Sequence, residues 1–107
     1  MNNSQENSKG LFRLLGLAAR AGKLVYGTPM VCEELKKNDK ICLVFVAKNA
    51  SDNTKKRITD KCDFYKRQLV ELDIDTAELG RILGKLGELA VVGLTDKSFK
   101  EGIEKFI

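Results

Sequence analysis

An α/β domain, with helices on both faces of a four-stranded sheet, is the fold class that this 107-residue sequence predicts. Three observations lead there. Ile41-Cys-Leu-Val-Phe-Val-Ala47 is an unbroken apolar run rich in β-branched and aromatic types, which reads as a strand buried on both faces. Short apolar runs alternate with segments whose apolar residues recur at helical spacing. The breaks between them fall at glycine, proline or capping residues. The resulting order is α-β-α-β-α-β-α-β-α, without internal repeat or linker, and the length fits one domain.

The first helix is expected over Lys9–Ala21, with Leu11, Leu14, Leu15 and Ala18 on one stripe and Gly22 as its C′ residue. Lys23–Tyr26 reads as a short strand. Thr28 is expected to cap the second helix, with Pro29 at its first position and its end near Asn38. After the central strand at 41–47, Ser51 or Asp52 can cap a third helix running to about Lys66. Ile58, Cys62 and Tyr65 form its apolar stripe and leave the side bearing Lys55, Lys56, Arg57 and Lys61 free. Leu69–Leu72 is the next strand. Asp75 and Glu78 have capping-box spacing for a short helix ended by Gly84. Leu89–Leu94 is a further buried strand. A last helix from Asp96 carries Phe99, Ile103 and Phe106 on one side.

Composition bounds the function. Apolar residues make up 43% and charged residues 32%, as in an ordinary soluble globular domain. The longest apolar run is far short of the roughly 20 residues that span a bilayer, so no membrane partner is expected. Residues 1–8 are polar, carry no apolar signal region, and are expected to form a disordered tail ahead of a single domain over 9–107; the cytoplasm is the expected compartment. Cys32, Cys42 and Cys62 match no metal or redox spacing and read as reduced, buried thiols. Histidine is absent, which removes the commonest general base, and neither a Walker loop nor a nucleophile elbow is present. Neither enzymatic activity, cofactor nor metal is therefore expected.

Charge points to a polyanion. The net charge is +4, and residues 48–67 alone carry seven cations against Asp52, Asp60 and Asp63. Three places suit an anionic ligand. Gly27-Thr28 puts a helix N-terminus, with free N–H groups, directly after a strand. Lys48-Asn49 follows the central strand, where Asn49 fits either a base or sugar contact or a turn. Lys85-Leu86-Gly87 offers an apolar side chain that either packs on an unstacked base or tucks into the core.

The order of motifs resembles a known family. Leu15-Gly-Leu-Ala-Ala-Arg-Ala-Gly-Lys-Leu-Val-Tyr-Gly27 is followed by Ala47-Lys-Asn-Ala-Ser-Asp-Asn-Thr-Lys-Lys56 and Thr59-Asp-Lys-Cys-Asp-Phe-Tyr65. Leu79-Gly-Arg-Ile-Leu-Gly-Lys85 and Thr95-Asp-Lys-Ser-Phe99 complete the series. From Leu11 onward this resembles the YlxQ family of small bacterial proteins, within the superfamily of kink-turn-binding ribosomal proteins. The resemblance implies a three-layer α/β/α sandwich with a mixed four-stranded sheet. It also implies RNA binding through one edge, at Gly27-Thr28 with Met30, at Lys48-Asn49 and at Lys85-Leu86. With Lys23 and Lys55 added from the same segments, the candidate RNA-binding set is Lys23, Gly27, Thr28, Met30, Lys48, Asn49, Lys55, Lys85 and Leu86. The partner implied is structured RNA, ribosomal RNA first, and with it the ribosome; the chain itself is expected to be a monomer. The superfamily's stronger binders follow the helix-two glycine with Asn-Glu and a later Lys that read the kink. Pro29, Met30 and Glu33 stand at those positions here, so general RNA affinity is implied but kink-turn specificity is not. The alternative function is a protein-interaction adaptor on the ribosome or the transcription machinery.

Overall fold

The computed structural model describes residues 3–37 and 39–107, and the side chains from Lys9 onward. Its elements are α1 (Asn3–Arg20), β1 (Leu24–Tyr26), α2 (Thr28–Lys37), β2 (Leu43–Ala47), α3 (Asp52–Tyr65), β3 (Gln68–Leu72), α4 (Thr76–Ile82), β4 (Val91–Leu94) and α5 (Lys97–Glu104). The alternation is the one expected, and the sheet is mixed. Its strand order is β1-β4-β2-β3, with β4 antiparallel to both neighbours and β2 parallel to β3.

β2 is buried along its whole length, and its pleat divides the core. Leu43, Phe45 and Ala47 join Leu11, Leu15 and Ala18 of α1, Leu79 of α4 and Ile103 of α5 in one cluster. Val44 and Val46 join Val31, Cys32 and Leu35 of α2 and Ile58 and Cys62 of α3 in the other. The two helical layers are thus α1, α4 and α5 on one face and α2 and α3 on the other. Each fully buried aliphatic or aromatic side chain contributes about 1.5–3 kcal/mol.

The ends of the elements depart from expectation in instructive ways. α1 begins at Asn3, where a disordered tail was expected; Met1 and Asn2 lie outside the described residues. A helix nucleated by the packed Leu11–Ala18 stripe extends into polar sequence at little cost. Its C-terminus closes as expected, with Gly22 N–H donating to Ala19 O and Lys23 N–H to Ala18 O. Asp75 and Asp96 cap α4 and α5 through their carboxylates, and Ser51 caps α3. The expected end of α2 at Asn38 lies outside the described residues.

One expected cap is displaced. Val31 N–H donates to Gly27 O at 3.0 Å, so Gly27 and not Thr28 is the residue whose carbonyl opens α2. Gly27 has φ +90°, a conformation a side chain resists, and its own N–H is spent on Val91 O at 2.9 Å. Pro29 then falls at the second helical position.

Candidate nucleic-acid interface

The sheet topology decides which loops meet. β1, β2 and β3 all finish at the end where β4 starts, which we term the near end. Gly27–Met30 follow β1, Lys48-Asn49 follow β2, and Lys85–Gly87 precede β4, so all three segments gather there. Backbone bonds stitch them together. Ala47 N–H donates to Ala90 O at 2.8 Å and Lys48 N–H to Ile74 O at 2.9 Å. Leu89 N–H donates to Thr76 O at 3.0 Å.

Thr76, at the start of α4, is the pivot of this end, a role that no local pattern around it signals. It is the buried polar residue among those described. Its N–H donates to Asn49 Oδ1 at 2.8 Å, and its hydroxyl donates to the Glu88 carboxylate at 2.5 Å. Of the two readings of Asn49, the structural one therefore accounts for its carbonyl oxygen. Its amide nitrogen keeps its donors available at an exposed position.

The loop before β4 is tightly held yet presents its side chains outward. Gly84 has φ +72° and closes α4, while Gly84 N–H donates to Arg81 O and Lys85 N–H to Gly80 O. Gly80 packs so closely on the loop that an added Cβ would lie 2.2 Å from Gly87 O. Leu86 is fully exposed, which removes the reading that it tucks into the core. The Lys85 ammonium lies 3.9 Å from the centroid of the Tyr26 ring, a cation–π contact across the end of β1. Met30, in the first turn of α2, is 55% exposed. Two apolar side chains are thus displayed between cations.

The remaining candidates sort differently. Thr28 is half-buried in the first turn of α2; with Pro29 lacking an N–H, Thr28 and Met30 supply the free donors there. Lys48 is exposed and lies 3.7 Å from the exposed Asp73, a loose pair. Lys55 was expected on a free helix face. Its ammonium instead donates to Lys48 O at 2.6 Å and pairs with Glu71 at 3.1 Å, so it braces the Lys48 turn. Lys56 is also paired, with Asp60 one turn on; Arg57 and Lys61 have no partner among the described residues. Lys23 does not join the group. It precedes β1 and lies at the opposite, far end, where its carbonyl accepts from Thr95 and its ammonium stands 4.0 Å from Asp96. Sequence reading also passed over Arg20, Tyr26 and Arg81, which α1, β1 and α4 bring beside Lys85.

Burial disfavours the thiolate at two of the three cysteines. Burial pushes Cys62 up to about 11, helped by the neighbouring Cys32 and by Asp63, and burial also raises Cys42. All three cysteines are free, Cys32 and Cys62 buried and Cys42 half-buried. Among the described residues, no group of acidic, cysteine or histidine side chains could hold a metal. No described helix is long and apolar enough to cross a membrane. What the near end can do chemically is contact phosphates with cations and N–H groups and lay apolar side chains on flat surfaces.

The model of the ribosomal protein L7Ae/L30e/S12e/Gadd45 family matches residues 9–103. A protein of Enterococcus faecium named RNA-binding protein YlxQ is 36% identical over 104 residues, covering 97% of each chain. One of the same name from Bacillus subtilis (strain 168) is 43% identical over 88 residues, covering 82% of this chain and 85% of its own. Among solved structures, a Bacillus halodurans protein of unknown function has a TM-score of 0.82 at 33% identity, covering 90% of this chain and 94% of its own. The Giardia lamblia 15.5kD RNA binding protein has a TM-score of 0.78 at 17% identity, covering 94% of this chain and 84% of its own, a likeness of fold.

Proposed function

The chain belongs to the ribosomal protein L7Ae/L30e/S12e/Gadd45 family, and on that premise we propose that it is a non-catalytic RNA-binding protein working through the near end of its sheet. The observation that carries the reading is Leu86. A fully exposed leucine, held on a loop bounded by Gly84 and Gly87 and flanked by Lys85, is built to meet a surface. Bases of an unstacked or irregular RNA offer such a surface, and the neighbouring Lys48 and Lys85 suit its phosphates. The names of the Enterococcus and Bacillus subtilis relatives support the same partner.

The finer reading is structured RNA, ribosomal RNA first, with the protein acting as a cytoplasmic monomer at or near the ribosome. The family's naming as ribosomal proteins supports it. Pro29 and Met30 offer the near end no side-chain hydrogen-bond donors, and Glu33 adds negative charge to α2. Recognition is accordingly of shape and phosphate and not of the kink-turn bases.

Titration of a structured RNA across a salt series tests this. Three or four phosphate contacts give a log–log slope of about −2 to −3.5. Lys48→Ala, Lys85→Ala and Leu86→Ala are each expected to weaken binding while leaving the fold intact, and a kink-turn RNA is expected to bind no better than an irregular RNA of equal length. A flat salt dependence with unchanged affinity in all three variants would remove the near end as the binding surface.

A further inference from the structure

Beside the near end a cleft of about 510 Å³ opens between the last turns of α1 and the end of α4. Gly16 and Ala19 of α1 face Ile82 and Leu83 across its floor, and Arg20, Arg81 and Lys85 stand around it with Tyr26. No carboxylate lines it. Among the described residues, the acid bound to these cations is Glu78, which pairs with Arg81 on α4 and is held below the usual carboxylate range by that guanidinium. Arg20 has no partner among the described residues. Gly16 matters to the shape, because a Cβ there would meet nothing nearer than Ile82 O at 3.8 Å.

We propose that this cleft is a second phosphate-binding site, taking backbone phosphates of the RNA strand that continues past Leu86. The inference rests on the RNA-binding reading and extends it from an edge to a track. Two features commit it to an RNA strand. Lys85 belongs both to the exposed loop and to the cleft, so one cation spans the two surfaces. Charge lining the cleft is of one sign: Arg20 supplies an open planar fork suited to phosphate, while Arg81, whose Nε and one terminal nitrogen are held by Glu78, keeps its other terminal nitrogen for a ligand. Tyr26 also lines the cleft, its hydroxyl pushed further above the usual tyrosine range by burial, so it adds a donor and no negative charge.

The test compares three variants in RNA titrations over a salt series. Arg20→Ala with Arg81→Ala removes two exposed cations and is expected to make the slope shallower by about 1.4–1.8, the value for two lost phosphate contacts. Gly16→Leu keeps every charge and fills the cleft; it is expected to weaken binding and flatten the slope in the same direction. Leu86→Ala is expected to weaken binding with the slope unchanged. If Leu86→Ala weakens binding while both cleft variants retain the parent affinity and slope, the cleft proposal is overturned and the edge stands. If the cleft variants weaken binding and Leu86→Ala does not, the cleft stands and the edge reading fails. Adenosine monophosphate tests the other source of the same phosphate. It is expected to compete with RNA in the parent and not in the double variant; saturable binding that leaves RNA affinity untouched would overturn assignment of the cleft to an RNA strand.

Discussion

At the far end of the sheet, Arg67 donates to Ile41 O at 2.8 Å and Tyr65 O at 2.6 Å and pairs with Asp39 at 2.9 Å. Lys23 stands against Asp96, and Lys100 reaches Glu104. At the near end, Arg20 has no partner among the described residues, Lys85 rests on an aromatic ring, and Lys48 has only a loose pair. Both ends have a cation-lined cleft, about 400 Å³ at the far end against about 510 Å³ at the near end. The far cleft includes Asp39 in its lining; the near one includes no acid. Cation number therefore does not mark the binding surface. A guanidinium that already satisfies two carbonyls and a carboxylate is part of the fold, while one whose donors point only to water is available to a ligand.

Gly80→Ala would drive a methyl into Gly87 O, and α4 or the Lys85–Gly87 loop must move. We expect a loss of about 1–3 kcal/mol of stability in denaturant melts, with RNA affinity falling as well because the loop carries Leu86. Stability unchanged with full RNA affinity would mean that the loop is not pinned as described.

Arg67→Ala should separate the two ends. It leaves two carbonyls without this donor, Ile41 ahead of β2 and Tyr65 at the end of α3, at a cost of about 1–2 kcal/mol. RNA affinity, measured below the melting transition, should equal the parent's. A variant that melts like the parent but loses RNA would transfer the binding surface to the far end.

The smallest expected effect is a gain. Lys66 ends α3 with φ +58°, where its N–H donates to Asp63 O and Arg67 N–H to Cys62 O, the geometry that Gly22 and Gly84 give the other helices. Lys66→Gly relieves strain of about 1 kcal/mol, partly offset by the added freedom of the unfolded chain, for a net gain of about 0.5 kcal/mol. It also deletes a far-end cation, so RNA affinity should stay constant.

What could be read from the sequence follows the range of the interaction. β2 declared itself through a continuous apolar run, and Ser51 and Asp75 through capping chemistry that acts within three residues. The stripe Ile58, Cys62, Tyr65 was legible because helical periodicity is local. Lys55 appeared free because its partner Glu71 lies on β3, brought close only by the parallel pairing of β2 and β3. Lys23 was grouped with Gly27 by sequence proximity, yet three residues of strand separate them, enough to put them at opposite ends of the sheet. The cleft joins Arg20 to Arg81 across 60 positions, and Thr76 joins Asn49 to Glu88; no periodicity or spacing encodes either.

Whether RNA meets the near end and not the far end can be read from amide chemical-shift mapping during titration with a structured RNA. Shifts are expected to concentrate at Gly27, Thr28 and Met30, at Lys48 and Asn49, and at Lys85 to Gly87, while Lys66 to Gln68 and Lys97 to Lys100 stay in place. Shifts concentrated at the far end, or on α3 around the exposed Phe64, would contradict binding at the near end.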